Sequence, residues 1–421
     1  MALNITTLFN ENALSLAGGA LRVSPNDPSH IRRGKRALQF LLVMSLLGAT
    51  AGIYVLFTGH HALGTTSEIP WGVLISTYVF FVVSSTGLCL VSSLGHVFGF
   101  KTFLPIAKRA IFFALVTLLI GFGVIATELE RPFRLALMAV ISPNFSAPIW
   151  WMGALYGLYM VLISAELFFL IKEDHRRARI VGAIGVIAAI AAHSNLGAVF
   201  GLLHARPFWY GPLMPIYFIA SALVCGAAIL MLIVYFTDYF GNNKQLRDEN
   251  QNLLQSLGKL LALFVGIVIF FTIWKIIVGI SGGHYHKSDV MLSLLVGKLF
   301  FSFWGMEMLV GLLIPFGILM SSKRKEPGYL AAAAALPMIG IFFVRYNFVY
   351  AGQMFSLKRV VGKFGEQISY SPPFKGQSSG FLPYTPSLAE MGIVVGAISA
   401  AILAYVIGSR ILKLREEVSH D

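Results

Sequence analysis

Of 421 residues, 57% are hydrophobic and only 12% charged, and the mean hydropathy is +0.77. A soluble globular domain is nearer half apolar and a quarter charged, so that class is excluded and a polytopic membrane protein remains. The net charge of +13 then reflects basic cytoplasmic loops and contact with anionic membrane lipid, and does not imply nucleic-acid binding.

A helix needs about 20 consecutive apolar residues to cross the hydrocarbon core. Ten runs qualify, near 38–58, 71–99, 106–127, 148–171, 179–203, 212–240, 257–279, 289–320, 328–350 and 386–409. Barrel strands would be about 10 residues long and alternating, so the expected fold class is all-α with ten transmembrane helices. If both termini are cytoplasmic, the inside loops hold 20 of the 32 Lys and Arg residues and the outside loops hold 8, four of them after residue 350. Lys and Arg accumulate in cytoplasmic loops, so both termini are expected there. Residues 1–31 read as an amphipathic or loose cytoplasmic segment, with no short apolar stretch and cleavage site of the secretory kind.

The first span ends at Gly59-His60-His61 and carries few polar residues, which suits a peripheral position. The second opens at Pro70-Trp71, where proline fits a first helical turn and tryptophan the membrane interface. Its interior holds Ser84, Ser85, Thr86 and Gly87, small residues that let neighbouring helices approach and hydrogen-bond. After the third span comes the densest polar stretch of the chain: Glu128-Leu129-Glu130-Arg131-Pro132-Phe133-Arg134, then Pro143-Asn144-Phe145-Ser146-Ala147-Pro148, then Trp150-Trp151-Met152-Gly153. A plain linker needs no such collection.

Tyr159 and Glu166 on the fourth span are seven residues apart and project within about 20° of each other, forming one polar stripe. Glu166 falls in the cytoplasmic half, where the cost of a carboxyl makes it a functional candidate. The competing reading is a neutral acid bonded to a serine or a carbonyl. The fifth span shows Gly182, Ala189, His193, Gly197, Phe200 and His204 at helical spacing, so His193 is expected to face other helices, with Ser194 and Asn195 beside it. A buried histidine satisfied by serine is the plainer alternative.

Spans six to nine look like a degenerate copy of spans two to five. Glu307 stands where Glu166 stands, and Arg345-Tyr346-Asn347 where His193-Ser194-Asn195 stands. Four helices per copy is even, so the repeats would be parallel. Lys298 and Glu307 are nine residues apart and project to opposite sides of the eighth span, so they form no ion pair along it. Lys298 and Arg345 are expected in the outer half with Glu307 deeper, lining an aqueous half-channel or forming a static polar network. The loop from 351 to 386 carries Lys358, Arg359, Lys363, Glu366 and Ser371-Pro372-Pro373; it reads as external, either docking an extrinsic subunit or simply solvated.

A b-type haem needs two histidines on facing helices at one depth, and only His193 lies well inside a span. Cys89 and Cys225 both fall inside spans and make no cluster, so neither haem nor an iron–sulfur centre is expected in this chain. A redox role would then rest on quinone binding. Glu128, Glu130, Arg131, Trp150, Trp151, His204, Arg206 and Trp209 all emerge on the outer face and can converge. They offer cationic and imidazole donors for a quinone oxygen, carboxylates for proton exchange and aromatic walls for the ring. Belt anchoring for each tryptophan and lipid-phosphate contact for Arg131 and Arg206 are the simpler alternatives.

The pattern acid-Leu-x-Arg-Pro-x-Arg, followed by Pro-Asn-x-Ser and Trp-x-Gly, resembles the NrfD/PsrC family of quinone-interacting membrane subunits of respiratory complexes. A second block agrees: His193, Arg206-Pro207-Phe208-Trp209, Pro212, Pro215, Phe218, Ser221-Ala222 and Gly226. The specific motifs cover about residues 70 to 240. The family's ten-span branch is the best fit, most like the membrane subunits of menaquinone reductase complexes in sulfate-reducing bacteria.

The resemblance implies a cytoplasmic segment 1–37, a peripheral helix 38–58, four-helix bundles at 70–211 and 212–350, an external loop 351–385, and a last helix with its tail at 386–421. It further implies menaquinone bound at the outer end of the first bundle by Glu128, Glu130, Arg131, Trp151, Tyr159, His193, His204 and Arg206. A proton path would use Glu166, His193, Asn195, Lys298, Glu307 and Arg345, with no metal. The partners implied are a periplasmic ferredoxin-like iron–sulfur subunit, a molybdopterin-type subunit and a multihaem cytochrome c, assembled at a bacterial inner membrane. The family often has Asp-Leu-Gly before Arg-Pro, whereas this chain has Glu128-Leu129-Glu130, which leaves open which carboxylate exchanges protons with the quinone. Two rival classes remain: a secondary proton or ion transporter using Lys298, Glu307 and Arg345 without redox partners, and a membrane anchor for soluble redox subunits. Transporter sites usually sit at Gly/Pro-interrupted helices in corresponding repeat positions, and this chain has no clear pair.

Overall fold

The computed structural model describes residues 28–239, 244–281, 285–355, 360–361, 367–368, 381–412 and 414. The segment 1–27 and most of the loop between 356 and 380 lie outside the described residues. Among the described residues, ten helices are long and apolar enough to cross a membrane, and the protein is an all-α polytopic membrane protein.

The helices are α1 (Pro28–Thr58), α2 (Val73–His96), α3 (Ala107–Glu128), the short α4 (Pro132–Ile141), α5 (Pro148–Ile171), α6 (His175–Gly201), α7 (Leu213–Val234), α8 (Lys244–Ser281) and the short α9 (Tyr285–Leu295). Then follow α10 (Phe301–Met320), α11 (Pro327–Ala351) and α12 (Leu388–Ile411). A two-residue antiparallel ladder, β1 (Val360–Val361) with β2 (Gln367–Ile368), lies in the loop before α12. We call the side on which α1 begins proximal and the opposite side distal.

Local chemistry sets the helix ends. Proline opens α4, α5 and α11, where its missing N–H costs nothing. Asp174 caps α6 by accepting from the Arg177 N–H at 3.0 Å. Glu173 adopts φ 59° in the three-residue turn between α5 and α6, which reverses the chain tightly enough for the two helices to pack side by side.

The second helix is the hub. It is the most enclosed of the ten, with 89% of its apolar window buried, and it packs on α3, α6, α7 and α11. Helix α7 approaches so closely that a Cβ on Gly87 would overlap the Ala222 carbonyl, and one on Gly226 would overlap Gly87. Small residues are what permit such crossings in a lipid setting. The pairs α2–α3, α3–α5, α5–α6 and α2–α6 tie one set of helices together, and α7–α8, α7–α11 and α10–α11 tie another. Helices α1 and α12 pack on each other, and both also touch α3.

Two expectations from sequence change. The run at 289–320 is not one helix: it is α9, a break at 296–300 containing Gly297, and then α10. The first 13 residues of α10, Phe301–Leu313, are π-helical, a geometry that clusters at functional or strained positions. Secondly, Glu307 does not match Glu166 in depth. Both helices run from the distal to the proximal side, yet Glu166 is the nineteenth of 24 residues in α5 and Glu307 the seventh of 20 in α10. The break shortens the eighth span at its distal end, which brings Glu307 up into the distal third, level with Asn347.

Candidate functional site

At the distal end, aromatic and polar groups form a plug over the helices. Trp71 stacks on Trp209 at 5.2 Å and meets Phe200 edge-on at 5.3 Å. Gln353 clamps Trp71, accepting from its N–H at 3.0 Å and donating to its carbonyl at 2.9 Å, while the Trp209 indole donates to the Phe348 carbonyl at 2.8 Å. Arg206 is half-buried beside this layer and donates to the Phe355 carbonyl at 2.7 Å and, more weakly, to that of Glu68 at 3.4 Å. Burial pulls its guanidinium below the ordinary arginine value, with the Glu68 carboxylate opposing.

Two acids lie in the same plug. Glu128 is buried; one oxygen accepts from the Gly72 N–H at 3.4 Å, and the other, Oε2, has no hydrogen-bond partner. Glu390 is also buried, but it is saturated: Oε1 accepts from Tyr384 at 2.7 Å, and Oε2 accepts from the N–H groups of Gly64 at 2.8 Å and Ser387 at 2.7 Å. Tyr384 in turn accepts from the Val73 N–H at 2.7 Å. Burial and its bond to Glu390 hold the Tyr384 phenol far above its ordinary range.

Beside the plug, α4 stands almost bare. Phe133 is 88% and Val140 81% exposed, and Glu130 and Arg131 are exposed at its beginning. The two tryptophans that open α5 hold this helix and its loop: Trp150 donates to the Ala139 carbonyl and Trp151 to that of Phe145, both at 2.8 Å. His204 is exposed, its ring 4.2 Å from that of Tyr210.

Below the plug, a ladder of buried polar groups descends α2, α5 and α6. His193 is fully buried; its Nε2 is 3.1 Å from the Phe218 carbonyl and its Nδ1 3.2 Å from the Tyr156 hydroxyl. A carbonyl only accepts, so Nε2 carries the proton and Nδ1 accepts from Tyr156. The next rung is Tyr159, which donates to the Ser85 carbonyl at 3.1 Å, accepts from the Ser85 hydroxyl and neighbours the Cys89 thiol. At the proximal end His96 Nε2 lies 2.5 Å from Glu166 Oε1, and both side chains are buried. His96 Nδ1 is 3.2 Å from the Ser92 carbonyl, which leaves Nε2 to face the Glu166 carboxyl. Gly182 makes the room: a Cβ there would come within 2.8 Å of His96 Nε2 and 3.1 Å of Glu166 Oε1. From Ser85 to His96 the ladder covers eleven residues of α2, about 16 Å of helix.

The neighbouring set of helices holds fixed charges. Glu307 accepts from Lys275 at 3.4 Å and from Asn347 at 2.9 Å, and Ser302 donates to Asn347 at 2.6 Å. Arg345 is fully buried with its guanidinium 4.1 Å over the Phe218 ring, a cation–π placement. It donates to the Ser221 hydroxyl, while its Nε and Nη1 have no hydrogen-bond partner. Lys298 lies in the break before α10 and donates to the Tyr350 hydroxyl at 2.9 Å.

The residues singled out from sequence therefore separate into the plug, the distal surface, the ladder and the charged cluster, with Asn195 apart from these. Glu128 and Arg206 enter the plug; Glu130, Arg131, Trp151 and His204 stay on the distal surface; Tyr159, His193 and Glu166 form the ladder. Asn195 leaves the stripe to donate to the Pro148 carbonyl at 2.9 Å, tying α6 to the start of α5. Lys298, Glu307 and Arg345 lie together in the distal third, with Glu307 bonded at the level of Arg345 and not below it. Sequence reasoning missed His96, Tyr156, Lys275, Gln353 and Glu390. Lys275 was findable, because an intramembrane lysine is as costly as the charges that were noticed. Ser387-x-x-Glu390 is a readable capping box. His96 and Gln353 sit at helix ends and become informative only once their partners are known.

The polysulphide reductase/NrfD family matches residues 61–357, which takes in every element of the plug and ladder except Tyr384 and Glu390. A selenate reductase subunit of Mesobacillus selenatarsenatis is 28% identical over 416 residues, covering 87% of this chain and 91% of the relative. The Hdr-like menaquinol oxidoreductase integral membrane subunit of Archaeoglobus fulgidus is 25% identical over 386 residues, covering 90% and 94%. The chain belongs to the polysulphide reductase/NrfD family.

Proposed function

We propose that this chain is the cofactor-free membrane subunit of a respiratory redox complex. It binds menaquinone near the distal face and couples its reduction, with electrons from an extrinsic iron–sulfur subunit, to proton uptake or translocation from the proximal side. The distal side is then periplasmic, the proximal side cytoplasmic, and the membrane the bacterial inner membrane. The relatives named as a menaquinol oxidoreductase membrane subunit and a selenate reductase subunit support the redox role. The observation that carries the reading is the ladder from the close His96–Glu166 pair up to Tyr156 and His193.

A quinone headgroup fits the plug on two counts. Glu128 Oε2 is a buried polar atom with no partner, and Trp71, Trp209 and Phe200 supply flat apolar walls. Of the two acids before Arg131, Glu128 is thus the better proton exchanger, since Glu130 is already in water. Arg131, Trp151, His204 and Arg206 would frame the entrance. His193 would supply a neutral N–H deeper in, reached through Phe200 and Phe218, whose rings are 6.0 Å apart. The bare apolar surface of α4 and the loop after α11 would take the extrinsic iron–sulfur subunit, with a molybdopterin-type subunit and a multihaem cytochrome c completing the complex. A transporter has less support, because Glu307 and Lys298 are held by Lys275, Asn347 and Tyr350.

The test is to assay both half-reactions on the assembled complex. One lost donor at a preorganised charge-stabilising site costs about 10²–10³ in rate, so His193→Ala and Arg131→Ala should cut quinone turnover strongly. Electron entry into the partner's iron–sulfur centres should stay near normal. Wild-type quinone turnover in both variants would overturn the assignment, and loss of assembly with Arg131→Ala alone would make α4 a docking element only.

A further inference from the structure

On the membrane-facing side of the second helix set, α8 and α10 leave an open apolar groove of about 520 Å³. Lys259, Ala262, Leu263, Gly266, Ile267 and Phe270 form one wall, a single helical stripe at spacings of three and four. Phe316 and Met320 of α10 form the other. Gly266 forms the floor against the Phe316 ring. Leu263 and Phe270 are 58% and 60% exposed, so the groove opens sideways to lipid.

Its length and polarity are informative. From Lys259 to Phe270 is eleven residues, about 16 Å of helix, and one leaflet of hydrocarbon is about 15 Å thick. The one cation of the lining, Lys259, stands at the proximal mouth, near Met320, where α10 ends and the exposed Lys323 follows outside the groove. Among the described residues Lys259 has no hydrogen bond or ion pair, and its side chain is exposed. A lysine at this depth reaches its ammonium to the headgroup layer along an apolar stem. The dimensions suit one hydrocarbon chain, and the charge suits the group attached to it.

We propose that this groove binds an anionic glycerophospholipid of the proximal leaflet, one acyl chain lying on Gly266 and Phe316 and the headgroup phosphate on Lys259. The site is separate from the quinone reading, and its test does not involve turnover. The purified full chain in its complex is exchanged into nanodiscs of phosphatidylcholine with a minor fraction of phosphatidylglycerol, and lipids retained after detergent release are counted by native mass spectrometry. One phosphatidylglycerol per chain should be retained about fivefold in preference to phosphatidylcholine, the effect of one cation facing anionic lipid. Lys259→Gln should erase the preference, and Leu263→Trp, which fills the exposed groove, should lower retention of both lipids; circular dichroism checks that each variant is folded. Equal retention of the two lipids by the wild type, or a preference surviving in Lys259→Gln, overturns the proposal. So does a retained quinone, or a dimer trapped across the groove by a Leu263→Cys cross-link.

Discussion

The acid of the first helix set lies in the proximal quarter of its helix, 2.5 Å from a histidine at the proximal end of α2. The acid of the second set lies in the distal third, held on one oxygen by Lys275 and on the other by Asn347. Burial is equally complete at Glu166 and Glu307, so burial alone does not separate them. What separates them is whether the partner can exchange a proton. An imidazole ring nitrogen can give or take a proton, whereas the Lys275 ammonium and the Asn347 amide only donate to the carboxylate. On the proposed function Glu166 would serve as a proton port, and Glu307 as an anchor that offsets Lys275 and, at longer range, the Arg345 guanidinium.

The largest test of this contrast is at the anchor. Removing one member of a buried ion pair costs about 3–5 kcal/mol, while replacing both with apolar groups is often neutral. Lys275→Met should therefore lower thermal stability in detergent sharply, and adding Glu307→Met should recover most of the loss. A single variant as stable as the wild type would mean that Glu307 is a neutral acid, and the two regions would then be alike.

At the port the expectation reverses. Glu166→Gln keeps shape and hydrogen bonding but cannot exchange a proton, so assembly and stability should hold while proton-coupled turnover falls by about 10², the lower range for a positioned proton-transfer group. Normal turnover with normal proton stoichiometry would reduce Glu166 to a satisfied buried acid. Gly182→Ala should act on the same pair more gently. Its new Cβ presses on His96 Nε2, and a small misplacement of a reacting pair costs rate through geometry alone, here about tenfold; an unaltered rate would show that the pair is not on the proton route.

Much of the fold was legible because the bilayer makes hydropathy decisive: all ten spans fall where apolar runs of about 20 residues lie. The exception, the eighth span, was lost because Leu294, Leu295, Val296, Leu299 and Phe300 keep the run apolar through the break at Gly297 and Lys298. For the site, periodicity placed His193 and Glu166 correctly on inward faces, yet their partners could not be read. His96 is seventy residues from Glu166, Tyr156 belongs to another helix than His193, and Lys275 pairs with Glu307 across 32 residues. Depth was misjudged wherever a helix end was misjudged, as at Glu307. The outer cluster was less legible: emergence on one face does not set burial, and Glu130, Arg131 and His204 are exposed while Glu128 is buried.

The smallest expected effect comes from a third buried acid, and it bounds the other two. Glu390 has all its bonds made by fixed donors: Tyr384, Gly64 N–H and Ser387 N–H. It is thus an anchor without a counter-charge, closing a capping box with Ser387, whose hydroxyl accepts from the Glu390 N–H at 3.2 Å. Loss of such a cap costs about 1 kcal/mol, so Ser387→Ala should lower the melting temperature slightly and leave quinone turnover untouched. A stability loss as great as that of Lys275→Met would mean that α12 holds the distal plug together through Gly64 and Val73. A turnover loss without a stability loss would place Glu390, together with Glu128 across Gly72, among the proton-exchanging acids.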